Sequence, residues 1–126
     1  MAINYQLHEK GDRPWGSWEV INLGPKHIVK RISVKPNASL SLQLHHHRGE
    51  HWVITQGNPT VTIGDEVQEL SPGKAVDIPK ETKHRIENKT DKPVEEEIVE
   101  ENVEEPTIEQ PQDNPEDDLL DEMKES

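Results

Sequence analysis

Four histidines and a carboxylate crowd into one stretch, Gln43-Leu44-His45-His46-His47-Arg48-Gly49-Glu50-His51-Trp52, and another histidine, His84, stands well downstream. Imidazole nitrogens combined with carboxylate or amide oxygens are the donor set that Zn²⁺, Mn²⁺, Fe²⁺, Co²⁺ and Ni²⁺ accept. The chemistry these residues offer is therefore one divalent metal ion, of identity left open. The chain has no cysteine, so disulfides and thiolate sites are excluded and metal binding must rest on His, carboxylate and amide groups.

Such a site in a small β-protein needs ligands from several strands, because one strand offers only every second residue to a given face. Leu40–His47 alternates, with Leu40, Leu42 and Leu44 on one face and Ser41, Gln43, His45 and His47 on the other. Gln43 and His45 then share a face, Glu50 follows the Arg48-Gly49 turn on the next strand, and His84 closes the set from a third. The expected ligands are Gln43, His45, Glu50 and His84. His47 shares their face at the strand end, as a ligand, a neighbouring donor or a substrate contact, while His46 and His51 are bystanders.

The elements that must position these residues read as strands. Helical periodicity is nearly absent between the N-terminus and Val99; short alternating runs are punctuated instead by Gly, Pro, Asn and Asp. Strands are expected at Trp15–Leu23, His27–Val34, Leu40–His47, Glu50–Gln56, Thr60–Ile63, Val67–Leu70, Ala75–Ile78, His84–Asn88 and Val94–Val99. Gly64-Asp65 makes a tight hairpin. The expected fold class is all-β, a jelly roll of the double-stranded β-helix type, with another β-sandwich as its rival.

Charge divides the chain. Of 26 acidic residues, 15 lie from Glu95 onward against Lys124 alone, whereas Met1–Val94 carries 11 acids and 13 bases. The net charge of −12 therefore describes the C-terminal end. The organisation expected is an N-terminal arm over residues 1–12, one domain over 13–99 and a disordered acidic tail over 100–126. Within that tail, Leu119-Leu120 and Met123 could form a short docking turn. The body before the tail has no Phe, one Tyr (Tyr5) and three Trp, so aliphatic side chains must fill its core, with Trp15 and Trp52 as buried aromatics. With no signal segment or membrane-length apolar run, the expectation is a soluble cytoplasmic protein that binds neither membrane nor nucleic acid. Edge strands make a homodimer plausible.

The spacing of the ligand candidates resembles the two cupin motifs. Gln43, His45, Glu50 and Gly57 match the first; Gly73, Pro79, His84 and Asn88 match the second, with Glu81 where glycine is usual. More closely, Arg13-Pro14-Trp15-Gly16, Lys30-Arg31-Ile32, Leu40–Arg48 with Glu50-His51-Trp52, and Lys83–Asn88 resemble the type II mannose-6-phosphate isomerase domain. That domain commonly forms the C-terminal part of bifunctional mannose-1-phosphate guanylyltransferase/mannose-6-phosphate isomerase enzymes. The resemblance implies a cupin fold, a divalent metal and interconversion of mannose 6-phosphate and fructose 6-phosphate through an enediol, in nucleotide-sugar and polysaccharide biosynthesis. No Gly-rich nucleotide loop occurs, so guanylyl transfer is not expected. The alternatives are a non-catalytic metal-binding cupin that recognises a sugar phosphate or sugar nucleotide, and a subunit for a separate guanylyltransferase.

An isomerase needs a base and a phosphate-binding cation. Candidates for the proton-transfer machinery are His47, Lys30, Arg85 and Glu87; candidates for substrate binding are Arg13, Lys30, Arg48 and Arg85. Strict alternation puts Arg85 on the face opposite His84, and only a bulge would turn it inward.

Overall fold

The computed structural model describes residues 5–101. The expected tail beyond residue 101 and the turn at Leu119, Leu120 and Met123 lie outside the described residues. Ten strands run in order: β1 (Lys10–Arg13), β2 (Gly16–Leu23), β3 (His27–Val34), β4 (Ala38–Ser39), β5 (Gly49–Gln56), β6 (Thr60–Ile63), β7 (Glu66–Glu69), β8 (Ala75–Ile78), β9 (His84–Asn88) and β10 (Val94–Glu101). They form two antiparallel sheets, a six-stranded one ordered β1-β2-β3-β10-β5-β8 and a four-stranded one ordered β4-β9-β6-β7. The all-β architecture expected from the turn spacing is what forms. Among the described residues no helix is long and apolar enough to cross a membrane.

Period-two patterning decides which side chains enter the space between the sheets. Ile28, Lys30, Ile32 and Val34 of β3 are buried, and so are Val94, Glu96, Ile98 and Glu100 of β10. Glu50, Trp52 and Ile54 of β5 continue that inner surface, and His84, Ile86 and Asn88 of β9 face it from the other sheet. The core is aliphatic around three buried tryptophans, Trp15, Trp18 and Trp52.

Three expectations about the elements are corrected. Lys10–Arg13 is a strand, paired with Gly16–Glu19, so the residue 12/13 boundary cuts through β1. The last strand runs to Glu101, and the residue 99/100 boundary cuts through it too; its far end is held by pairing to both β3 and β5. The expected strand Leu40–His47 is instead an extended segment that follows the two-residue β4 and meets β9 through the Leu40 amide to the Ile86 carbonyl and the isolated bridge of Gln43 with His84. Alternation fails twice there. Ser41 and Leu42 are both exposed, which lets Leu40 and Gln43 both turn inward, and His46 and His47 are both exposed where the chain bends toward β5. Leu42 and Leu44 are 48 % and 36 % exposed, because the polar side of this segment is the one that faces inward.

Asn88 fastens the closed end of the fold. Its Nδ2 donates to the carbonyls of Val34, Lys35 and Lys92 at 3.2, 3.1 and 2.7 Å, and its Oδ1 accepts from the Thr90 amide and hydroxyl at 3.0 and 2.6 Å. Removing the amide strands buried carbonyls from two turns at once. Asn88→Ala is expected to cost about 3 kcal/mol of unfolding free energy, from several hydrogen bonds of ~1 kcal/mol and the desolvated groups left behind. Urea denaturation measures it; a loss of only a few tenths would show that solvent takes over these bonds.

Candidate metal centre

The turn after the inward segment and the Gln43–His84 bridge bring three ligand candidates together. His45, Glu50 and His84 each offer one donor atom, and these lie within 4.8 Å of one another, all three residues buried. Within the set, His45 Nε2 is 3.3 Å from Glu50 Oε2, and His84 Nε2 is 3.9 Å from Glu50 Oε1. Donors about 2.0–2.2 Å from a shared ion stand roughly 3–4 Å apart, so the set fits a small divalent cation with little rearrangement. Gln43 is buried beside it. Its backbone exchanges two hydrogen bonds of 2.9 Å with His84, a pairing that puts both side chains on one face and makes the Gln43 amide oxygen the fourth candidate donor.

Orientation comes from second partners. His84 Nδ1 donates to the Thr82 carbonyl at 2.8 Å, which leaves the Nε2 lone pair for a ligand. Trp52 Nε1 donates to Glu50 Oε1 at 2.8 Å, and the Trp52 and His84 rings meet edge-on with centroids 5.7 Å apart. His45 is held from behind, its carbonyl accepting from the Glu81 amide at 2.7 Å. Glu81 makes that contact with φ +62°, a left-handed conformation that explains why glycine is usual at this place in the motif.

Burial drives the His45 imidazole well below its ordinary pKa, and Arg48, His84, Lys30 and His46 push the same way. It is therefore neutral at physiological pH, with a lone pair to give. For Glu50 burial acts upward, but the charges of His84 and Arg48, the Trp52 hydrogen bond and Lys30 outweigh it, and the carboxyl ends below its ordinary value. Neutral imidazole and ionised carboxylate are the states a metal requires.

Arg48 lies over this set at the mouth of the barrel. Its Nε is 3.3 Å from Glu50 Oε2 and its Nη2 is 3.2 Å from His45 Nε2. It is also the more open member of the group, with 23 % of its side chain exposed. Below, the set borders a narrow cavity of about 10 Å³ lined in part by Gln43, Glu50, Trp52, His84, Glu96 and Ile98. That is room for about one water-sized group.

The remaining sequence candidates separate. His47 is exposed and belongs with His46, 6.3 Å away ring to ring, and not with the ligands; the bend after His45 undoes the parity that would have kept it inside. Arg85 and Glu87 pair with each other at 3.5 Å on the outer face of β9, which runs in unbroken register against β6; no bulge turns Arg85 inward. Arg13 donates to the Asp12 carbonyl and lies 5.8 Å from the Trp18 ring, away from the ligands. Lys30 is inside but only 1 % exposed, its ammonium 4.3 Å from the Tyr5 ring centroid and 3.6 Å from Glu100, so it meets other protein groups and not solvent. His46 is exposed beside Glu81, and His51 pairs with Asp77 on the outer face, as bystanders should.

Two inner carboxyls escaped the sequence reading. Glu100 Oε2 is 3.6 Å from both Lys30 Nζ and Arg48 Nη2, at ion-pair and not hydrogen-bond distance. Glu96 is fully buried and neither of its oxygens has a hydrogen-bond partner. Burial, with the Glu50 charge adding to it, raises the Glu96 carboxyl well above its ordinary value. A signal existed: Val94, Glu96, Ile98 and Glu100 share one parity, and a lysine on the apolar side of β3 demands an acidic partner.

Two consequences can be measured. The double substitution His45→Ala with His84→Ala removes two of the three clustered donors, and metal bound to the purified protein should fall at least about tenfold by elemental analysis; unchanged metal content would refute the ligand assignment. For Glu96, a folded pKa above the unfolded one means the protonated acid stabilises the fold fully below the ordinary carboxylate range. That contribution is lost as pH rises toward the raised value. Glu96→Gln, which cannot ionise, should therefore gain stability relative to the parent on going from pH 4 to neutral, by about 1–3 kcal/mol. A pH-independent difference in denaturation midpoints would show that Glu96 is not held protonated.

Comparison with known proteins agrees with this geometry. A cupin domain of Cnp3 from Schizosaccharomyces pombe superposes with a TM-score of 0.65 at 14% identity, over 68% of this chain and 64% of that one. An RmlC-like cupin from Shewanella frigidimarina gives 0.68 at 14% identity, over 78% and 86%. At such identities the likeness shows the fold, which is a cupin. In sequence, the chain is 48% identical over 88 residues to the xanthan biosynthesis protein XanB of Xanthomonas campestris, covering 70% of this chain and 19% of that protein. It is 44% identical over 84 residues to the mannose-1-phosphate guanylyltransferase ManC of Salmonella typhimurium, covering 67% and 18%. The alginate biosynthesis protein AlgA of Pseudomonas syringae matches at 44% over 90 residues, covering 71% and 19%. The chain thus spans about a fifth of the length of these relatives. The sequence model of the family described as mannose-6-phosphate isomerase C-terminal matches residues 2–112, and the chain belongs to that family.

Proposed function

We propose that this cupin is a metal-dependent aldose–ketose isomerase that interconverts mannose 6-phosphate and fructose 6-phosphate. The observation that carries the reading is the buried His45–Glu50–His84 cluster with Gln43 alongside, in the motif order of an isomerase family. The reaction moves a proton between carbon 2 and carbon 1 of the open-chain sugar through a cis-enediol(ate). Negative charge gathers on two adjacent oxygens, and a bound divalent ion supplies the charge that stabilises them. The protein's own part is to keep His45 neutral and Glu50 ionised, and to fix His84 through Thr82. Arg48, at the partly exposed mouth, suits a phosphoryl group arriving from solvent, since a guanidinium can take two phosphate oxygens at once.

A second reading has its own observation. His47 is exposed and Arg85 and Glu87 pair with each other, so none of these three sequence candidates for proton transfer belongs to the buried donor cluster. That favours a cupin which binds a sugar phosphate or sugar nucleotide without turning it over. The two readings part in one assay. The isomerase converts mannose 6-phosphate to fructose 6-phosphate, loses at least about a hundredfold of its rate to a chelator and regains it with divalent metal. A folded, metal-replete protein that binds the sugar phosphate and does not convert it sinks the enzyme reading.

A further inference from the structure

Glu100 stands where the last strand meets the site. It is the cross-strand partner of Glu50 in the β10–β5 ladder, and it is 4 % exposed. Its Oε2 sits 3.6 Å from two cations on opposite sides, Lys30 Nζ and Arg48 Nη2. Lys30 is fixed: it is buried, its ammonium lies over the Tyr5 ring, and it donates to the Tyr5 hydroxyl at 3.2 Å. Arg48 hangs from the turn before β5, where it also meets His45 and Glu50. Those two residues are the proposed metal ligands. Once they are committed to an ion, Glu100 still holds Arg48.

We infer that Glu100 is a positioning residue: anchored by Lys30, it holds the Arg48 guanidinium at the barrel mouth so that it meets the phosphoryl group of an anionic sugar. The inference rests on the reading of the site as one for sugar phosphates. Its direction separates it from a simple field effect. Removing a negative charge beside an anion-binding cation should tighten anion binding if Glu100 acts only through its charge. If Glu100 places Arg48, the same substitution must weaken it.

The experiment compares the parent protein with Glu100→Gln, which keeps shape and loses charge, and with Glu97→Gln on the outer face of the same strand. Each is loaded with metal and titrated calorimetrically with mannose 6-phosphate and with unphosphorylated mannose, and kcat and KM are measured alongside. The expected result for Glu100→Gln is an affinity for the sugar phosphate about tenfold weaker, the loss of one well-placed charge-assisted contact. KM should rise in step, with metal content, mannose affinity and kcat held within about threefold and Glu97→Gln like the parent. Tighter or unchanged sugar-phosphate binding overturns the assignment, as does an equal loss of mannose and phosphate affinity, which would mean general damage to the site. A parent protein that binds mannose 6-phosphate without converting it sinks the isomerase reading and leaves this comparison of affinities intact.

Discussion

A carboxylate stays ionised inside a small β-barrel only if donors and positive charge are built around it, and Glu50 imposes that condition here. Burial alone would neutralise it. What prevents this comes from four places in the chain: Trp52 two residues on, Arg48 at the turn before, His84 from the opposite sheet and Lys30 from β3. Each of these needs its own support. Lys30 in the apolar side of β3 needs Glu100, Arg48 is held by Glu100 as well as by Glu50, and His45 needs the burial that lowers its pKa. The rows of inward-facing aliphatic residues hold the two sheets at the spacing this group requires.

The strand β10 shows how one element can serve both fold and site. It lies at the centre of the six-stranded sheet, between β3 and β5, and its inner residues read Val94, Glu96, Ile98 and Glu100. The two apolar ones pack against the core. Glu100, near the open end, pairs with two cations, whereas neither oxygen of Glu96 has a hydrogen-bond partner, and burial together with the Glu50 charge pushes its carboxyl well above the ordinary value.

Much of this was legible in the sequence, and the failures have a common cause. Gln43, His45, Glu50 and His84 could be named because turn residues fix their spacing: Gly49 opens β5, and Pro79 and Glu81 shape the loop before His84. Strands with one polar and one apolar face, such as His27–Val34, were found to the residue. In β10 glutamate occupies both faces, outward at Glu95 and Glu97 and inward at Glu96 and Glu100, so hydropathy carries no period there and the segment merges with the acidic run beyond it. Whether a glutamate is buried depends on a lysine some seventy residues away, which local composition does not register. His47 failed in the opposite sense. Parity is a property of paired strands, and the segment holding it meets β9 at Leu40 and Gln43 and is not paired as a strand at His47.

On the proposed function, the same charges would make metal and sugar phosphate depend on each other. Lys30 and Arg48 offset Glu50 and Glu100, two positive side chains against two negative ones. A divalent ion brings two positive charges into a space that water barely enters. A phosphomonoester brings nearly two negative charges at neutral pH, since its second pKa is about 6. Each ligand thereby offsets the charge that the other leaves uncompensated, and in a low-dielectric interior that compensation is far stronger than in water. Coupling of this kind is reciprocal, so a barrel that balances its own charges before either ligand arrives makes the affinity for each depend on the other.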